Sequence, residues 1–578
     1  MAPSRPPYHG TERKLVLAMD IGTTFSGISY SILDPGEIPV IKGVTRFPAQ
    51  EGVGGDSKIP SILYYDMQGQ VRAVGAEALQ ESIIEQAEDN GWMKVEWWKL
   101  HLRPKRLASA HVTDSDLPPL PTNKTAVEVL SDFMKYLQDC AQTFIAETHS
   151  ESTWKSIETN IDFVLTHPNG WEGAQQSEIR RAAVLAGFVT DTLEGQSRIQ
   201  LLTEGEASLH YCIGNGVTSQ ATTNGQGIII VDAGGGTIDL SAYSVTGAPG
   251  SFGEIAPTES KLANSKFGSP EELKHMVDCF DKSTKLRFRN PDEPSYIKFG
   301  GVRDKDPAVG IRSGQLKLPG SEVAALFEPS INSIIEAIEQ QRRVAAKAIK
   351  SIFLVGGFAA SDWLFSRLHE HMSAQGIDFL RPDSHVNKAV ADGALSFYLD
   401  HKVSSRVASK TFGVEVITLF DPHNRDHVCR SIEKFTDATG NEYIPNLFDV
   451  ILPKGTCVQE EKEFRSEYSR CAHNKSSLDT VRIYIYGYHG LKDPAWMDVE
   501  KDQYSTICTV EADTSRLAQS LQPRRGRGNQ HYYRMDYSIV LLFGLTELKA
   551  QVCWLENGIE KRGPAKVAYD IESTIADI

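Results

Sequence analysis

Through its first two-thirds the chain alternates short apolar runs with longer segments whose apolar residues recur every three or four positions. "KLVLAMDIG" and "GQGIIIVDAGGG" are short and rich in β-branched residues, which predicts buried strands. "TAVEVLSDFMKYLQDCAQTFI" sets Val127, Leu130, Met134, Leu137, Ala141 and Phe144 on one face of a helix. "IDFVLTHP" predicts a strand stopped by Pro168, followed by the helix "EGAQQSEIRRAAVLAG". Further along, "EVAALFEPSINSIIEAIEQQRR" predicts a helix, "KSIFLVGGF" a strand and "SDWLFSRLHEHM" a helix with Ser361 and Asp362 as cap. A last helix, "NKAVADGALSFYL", closes the region near residue 400. Such alternation predicts an α/β architecture.

From about residue 405 the pattern changes. "VRIYIYGY", "YSIVLLFGL" and "KAQVCWLENGIEKRGPAKVAYD" alternate with period two between turn residues, so a smaller, mainly β domain is expected. The expected division is 1–13 as a flexible, proline-rich leader, 14–402 as the α/β domain and 403–578 as the β-rich domain. "PRRGRG" (523–528) is expected to be a solvated loop between strands rather than an RNA-binding repeat. "HEH" (369–371) lacks the spacing of a zinc-protease motif and is expected on a helix surface.

Composition narrows the function. Sixty basic and 75 acidic side chains give a formal net charge of −15. That argues against broad binding to nucleic acid or anionic membranes, which need a basic face. No apolar run is long enough to span a bilayer, and the polar, proline-rich N-terminus is not expected to be a signal peptide. The eight cysteines form no CxxC pair, which points to a reducing compartment: the cytoplasm, or the nucleus.

The chemistry lies in two glycine turns, "LAMDIGTTFSG" (17–27) and "VDAGGGTIDL" (231–240). Neither matches a dinucleotide fingerprint, because "GGGTIDLSAYSV" continues as a strand rather than opening a helix, and no P-loop occurs. A glycine hairpin exposes successive backbone N–H groups, which form a nest for phosphate oxygens. Asp20 and Asp232, at the ends of buried strands, would repel phosphate directly. They make sense with hydrated Mg²⁺ between carboxylates and phosphates. Thr23, Thr24 and Thr237 can add hydroxyl and amide donors. Two such turns predict a two-lobed nucleotide cleft.

The same residues resemble the actin-like ATPase superfamily, and within it the seventy-kilodalton heat-shock proteins. "DIGTTFSG" looks like the first phosphate motif, "DAGGGTIDLS" like the second and "FLVGGFAASDWL" like the adenosine motif. "LLTEGEASL" and "NKAVADGAL" complete the series, which runs in order from Lys14 to Leu399. "WWKLHL" and "GGFAASDWLFSRL" are similar to a divergent, twelve-A-like branch. The resemblance implies two duplicated ribonuclease-H-like folds followed by a substrate-binding β-sandwich. It implies ATP or ADP as ligand, Mg²⁺ held through water by Asp20 and Asp232, and a polypeptide client or co-chaperone as partner. By the same resemblance Gly22, Thr23, Thr24, Phe25, Gly234, Gly235, Gly236 and Thr237 line the phosphates. Glu204 and Asp239 orient water, and Lys99 stands near the γ-phosphate, the alternative being a surface lysine beside two tryptophans. Thr166 ends a strand at the cleft. Gly356, Gly357, Phe358, Asn387, Asp281 and Lys285 meet the nucleoside.

Four departures from that family stand out. "SFGEIAPTESKLANSKFGSPEELKHM" lacks its Gly-Gly-x-x-Phe-Asp element, and Phe358, Ala359 and Ala360 follow the double glycine where chaperones carry hydroxyl and arginine side chains. "HKVSSRVASKTFGVEV" lacks the acidic, leucine-rich linker, and a helical lid is not expected after the last strands. The expected function is an ATP-binding, slowly hydrolysing chaperone-like protein. The alternative is a nucleotide-sensing scaffold with little turnover. A small-molecule kinase and a filament-forming protein fit less well.

Overall fold

Val- and Ile-rich runs lie at the centres of mixed sheets, where β-branched side chains pack well between neighbours. The computed structural model describes residues 5–53, 57–104, 117–171, 173–215, 227–233, 237–245, 252–254, 259–262, 280–298, 311–345, 347–382, 388–400, 403–459, 462–490, 492–544 and 547–567. They belong to two units, Met1–Trp171 with Glu178–Val403, and Glu172–Ser177 with Ser404–Ile578.

In the first unit, β1 (Lys14–Ile21) and β2 (Phe25–Leu33) form an antiparallel hairpin. The short β3 (Lys58–Pro60) pairs with β2, and β4 (Ile161–His167) and β5 (Ile199–Thr203) extend the other edge in parallel. Strand order is β2-β1-β4-β5, with β3 and Lys42–Gly43 both on β2. Helix α1 (Ala126–His149) starts with a reciprocal cap. The Glu128 backbone N–H donates to the Thr125 hydroxyl (3.3 Å), and the Thr125 N–H donates to the Glu128 carboxylate (2.8 Å). All six apolar positions read from its periodicity are buried in the core beneath this sheet. β5 leads directly into α2 (Glu204–Gly214).

A second sheet contains β6 (Gly227–Ala233), β7 (Thr237–Val245), β8 (Ile349–Val355) and β9 (Asp378–Leu380) in the order β9-β8-β6-β7. β6 and β7 are antiparallel, and β8 and β9 continue in parallel. Order and directions therefore repeat those of β5-β4-β1-β2. Helices α3 (Gly320–Val344) and α4 (Asp362–Ser373) cover this sheet with Ile334, Ile338, Leu364, Leu368 and Met372. Ser361 caps α4 by accepting from the Leu364 N–H at 3.3 Å, and His369 and His371 are exposed on it.

Helix α5 (Ala389–Asp400) crosses α2 at Gly393. A Cβ at that position would lie 1.7 Å from the Ala207 carbonyl oxygen, so only glycine permits the crossing. The Ser29 hydroxyl donates to Asp392 of α5 and so ties α5 to β2. The leader expected to be loose is docked from Arg5 onward. Arg5 pairs with Asp400 at 2.9 Å and donates to Ser396 at 3.1 Å, while the Tyr8 N–H donates to the Glu37 carbonyl at 2.8 Å.

The second unit is built from antiparallel strands. Thr411–Leu419, Glu442–Leu452, Thr480–Tyr488 and Tyr504–Asp513 belong to one sheet; Glu463–Ala472, His531–Gly544, Glu547–Glu556 and Ile559–Arg562 belong to another. Val414, Leu452, Ile485 and Val510 from the first share a core with Ile539, Leu541, Ala550 and Val552 from the second. Within "PRRGRG", Arg524–Arg525 pairs with Tyr532 and His531, a two-residue strand where a plain loop was expected. Both arginines remain exposed. No helix among the described residues is long and apolar enough to cross a membrane.

Replacing Gly393 by alanine forces backbone apart rather than a flexible side chain. Overpacking of this kind costs about 3 kcal/mol or more. Gly393→Ala is expected to lower the thermal midpoint by about 3 °C or more. A differential scanning measurement showing no shift would contradict the closeness of this crossing.

Candidate functional site

The chemistry gathers at the carboxyl ends of corresponding strands in the two sheets, where open α/β folds bind ligands. Asp20 sits near the end of β1 and Asp232 near the end of β6. Both are buried, at 3% and 5% exposure, which would be costly for isolated carboxylates.

Around Asp20 the turn to β2 is tight. A Cβ on Gly22 would lie 2.3 Å from the Phe25 carbonyl oxygen, so the turn needs glycine. Ser61, just after β3, anchors it: its hydroxyl donates to the Gly22 carbonyl (2.8 Å) and its N–H to the Thr24 carbonyl (2.9 Å). Thr23 and Thr24 are half-buried, whereas Phe25 is exposed. The Asp20 carboxylate pairs with Lys58 of β3 at 2.6 Å, and the Thr166 hydroxyl of β4 lies 3.5 Å from its other oxygen.

Lys99 and Glu204 meet nearby. Lys99 follows Trp98, whose buried indole N–H donates to the Ser61 carbonyl at 2.9 Å. The lysine is 5% exposed, which removes the alternative of a surface position, and its ammonium pairs with Glu204 at 2.9 Å. It also lies 5.5 Å from the centre of the Trp171 ring. Glu204 opens α2, where the helix dipole favours a carboxylate. One turn on, the Ser208 hydroxyl donates to Asp232 at 3.0 Å. A single helix thus carries groups that meet both Lys99 and Asp232.

Gly356 follows β8 with φ of 93°. Its missing Cβ would lie 2.4 Å from the Ala233 carbonyl oxygen and from Asp232, whereas Gly357 faces open space. Lys285 and Phe358 form a separate contact, with the ammonium 4.6 Å from the ring centre. Thr237 and Asp239 lie on β7, with Asp239 opposite Asp232 in register. Asp281 lies in the helical turn Phe280–Thr284. Gly234, Gly235, Gly236 and Asn387 lie outside the described residues.

Electrostatics couples the cluster. Burial raises the Asp232 carboxyl from 3.8 to about 7, with further upward pressure from the charges of Glu204 and Asp20. Lys58 and Ser208 relieve it only in part. Burial raises Glu204 as well, against the pull of Lys99. For Lys58, burial works downward, but the Asp20 charge and hydrogen bond, with the charges of Asp232 and Glu204, hold its ammonium above the ordinary value. Three buried carboxylates therefore share two ammonium groups.

Lys58 and Ser61 were not legible as site residues, and Gly27 and Ser208, although inside the quoted segments, carried no assigned role. "GDSKIPS" has no periodicity or motif, and Lys58 reaches the cluster only through a cross-strand register.

No family model matches the chain. Comparison with characterised proteins does find relatives. Human "Heat shock 70 kDa protein 12A" is 23% identical over 567 residues, covering 82% of this chain and 81% of that protein. Human "Heat shock 70 kDa protein 12B" is 21% identical, covering 78% of each. The chain is a divergent relative of the seventy-kilodalton heat-shock proteins. Likeness to the heat-shock group also extends to "Chaperone protein dnaK" of Guillardia theta, 22% identical over 81% of this chain and 72% of that one.

The Asp232 carboxyl makes the ligand-free protein pH-sensitive. Its folded value, about 7, lies above its ordinary 3.8, so folding favours the neutral form. That stabilisation is complete below the ordinary value and is lost as pH rises through about 7. Asp232→Asn, always neutral, should gain stability over the parent between about pH 5 and 7, by up to about 1.4 kcal/mol per pH unit, and level off above about 7. Parallel urea titrations at the two pH values check this; an equal difference at both would refute it.

Proposed function

We propose that residues 14–402 form a two-lobed, actin-like domain of duplicated ribonuclease-H-like folds that binds ATP and ADP with Mg²⁺ and hydrolyses ATP slowly. Residues 403–578 form a β-rich domain for a polypeptide client or co-chaperone. The observation that carries this reading is the buried cluster of Asp20, Asp232 and Glu204 with Lys58 and Lys99, at equivalent strand ends of two sheets with the same strand order. The names of the relatives, heat-shock and chaperone proteins, support the same direction. A cytoplasmic or nuclear protein would suit it.

In this reading the backbone of Gly22, Thr23 and Thr24, and of Gly234, Gly235, Gly236 and Thr237, cradles phosphate oxygens. Gly356 and Gly357 admit the nucleoside to the backbone, with Phe358, Lys285, Asp281 and Asn387 around it. Among the described residues no cluster has the make-up of a direct metal site. The donor chemistry nonetheless suits a hydrated cation, since Asp232 is a buried carboxylate whose charge is only partly relieved. Asp20 and Asp232 would hold Mg²⁺ through its water shell. The ion would neutralise charge on the triphosphate. Lys99 and Glu204 are the residues that act on the attacking water and the γ-phosphate, with Asp239 on the adjacent strand.

A scaffold with little turnover is the second reading. The Lys99–Glu204 pair at 2.9 Å favours it, because each group satisfies the other until a ligand separates them.

Isothermal titration with ATP and Mg²⁺ tests binding; absence of heat with folded protein would sink the reading. Lys99→Ala is expected to cut single-turnover hydrolysis by about a hundredfold or more while ATP still binds. Asp20→Ala is expected to abolish hydrolysis. Full turnover in Lys99→Ala would remove that residue from the chemistry.

A further inference from the structure

Residues directly opposite each other in antiparallel strands carry their side chains on the same face. Asp20 of β1 faces Gly27 of β2, and Gly27 faces Lys58 of β3. The three form one row across the sheet. Adjacent strands lie about 4.8 Å apart, so Asp20 and Lys58 stand about 10 Å apart at the backbone. The lysine spans that gap because nothing projects from position 27. A Cβ there would lie 3.1 Å from Lys58 Cγ. The stem crosses this opening and brings the ammonium to 2.6 Å from Asp20.

A lysine on a short strand ordinarily turns its head to water. Lys58 instead enters the cluster, its side chain only 16% exposed, and is held by the charges of Asp20, Asp232 and Glu204. A pair serving stability alone would need one carboxylate. This one lies among three, beside the turn that carries Gly22, Thr23 and Thr24.

Resting on the nucleotide reading above, we infer that Lys58 is a tethered cation of the cleft, supplying at Asp20 part of the positive charge that a divalent ion would bring, so that adenine nucleotide binds with little dependence on Mg²⁺. Lys58 is a positioning and charge-balancing residue; a hydrated metal would still meet both Asp20 and Asp232, with less charge left to neutralise at Asp20. Gly27 is the residue that makes the reach possible.

The test is calorimetric titration of the full chain with ADP, which carries no γ-phosphate to hydrolyse, in magnesium chloride and again in EDTA. The expected wild-type Kd differs by less than about tenfold between the two, and Lys58→Met widens the difference beyond about tenfold by weakening binding in EDTA. Lys58→Arg, which keeps the charge, should retain the wild-type pattern more closely. A wild-type difference above about tenfold overturns the inference while leaving the nucleotide site standing. Equal insensitivity in wild type and Lys58→Met also overturns it. No binding of ADP or ATP in either buffer refutes the nucleotide reading and this inference together. A melting curve reports whether Lys58→Met is folded; if it is not, Lys58→Gln takes its place, and the wild-type comparison still decides against the inference when the tenfold limit is exceeded.

Discussion

Three carboxylates buried at the ends of two sheets set the terms for the first unit. Transfer of an ion from water costs several kcal/mol even after the protein relaxes, so Asp20, Asp232 and Glu204 cannot stay together without compensating charge. Lys58 and Lys99 supply it through two short ion pairs. Taking one partner from a buried pair typically costs about 3–5 kcal/mol, because the other charge is left unpaired. Such an arrangement is weak evidence for stability as a goal.

The repeated sheet pattern explains how the charge comes to be there. Each sheet starts with an antiparallel hairpin and extends through two parallel strands, so the aspartates of β1 and β6 occupy equivalent places. Asn169, just past β4, donates to the Leu240 carbonyl and to the Ser241 hydroxyl, each at 3.1 Å, on the hairpin of the other sheet. Helix α2 begins where β5 stops and offers Glu204 and Ser208 one turn apart. Two sheets and a helix are needed to assemble one cluster.

Much of this was legible along the chain. The elements of the first unit follow their hydrophobic periods closely, since strand and helix faces are set by local burial. Asp20, Asp232, Lys99 and Glu204 stood out because glycine turns and a characteristic order of segments surround them. Lys58 did not, and the reason is geometric. Its role depends on which residue of β2 lies opposite it, and no local pattern encodes a register between strands separated by a long connection. Ser208 escaped notice because a serine inside a helix has many ordinary uses. The docking of Arg5 on Asp400 was equally hidden, as it joins residues from opposite ends of the unit.

The crossing at Gly393 has a mechanical consequence. Where two helices meet with no clearance, rolling or sliding one over the other would drive the α5 backbone against the Ala207 carbonyl, which couples a displacement of α2 to α5 as in a single frame. Glu204 and Ser208 ride on one arm of that frame, and Asp392, hydrogen-bonded to Ser29, rides on the other. A tilt started at the charged end would be transmitted to the hairpin as leverage rather than absorbed as slack.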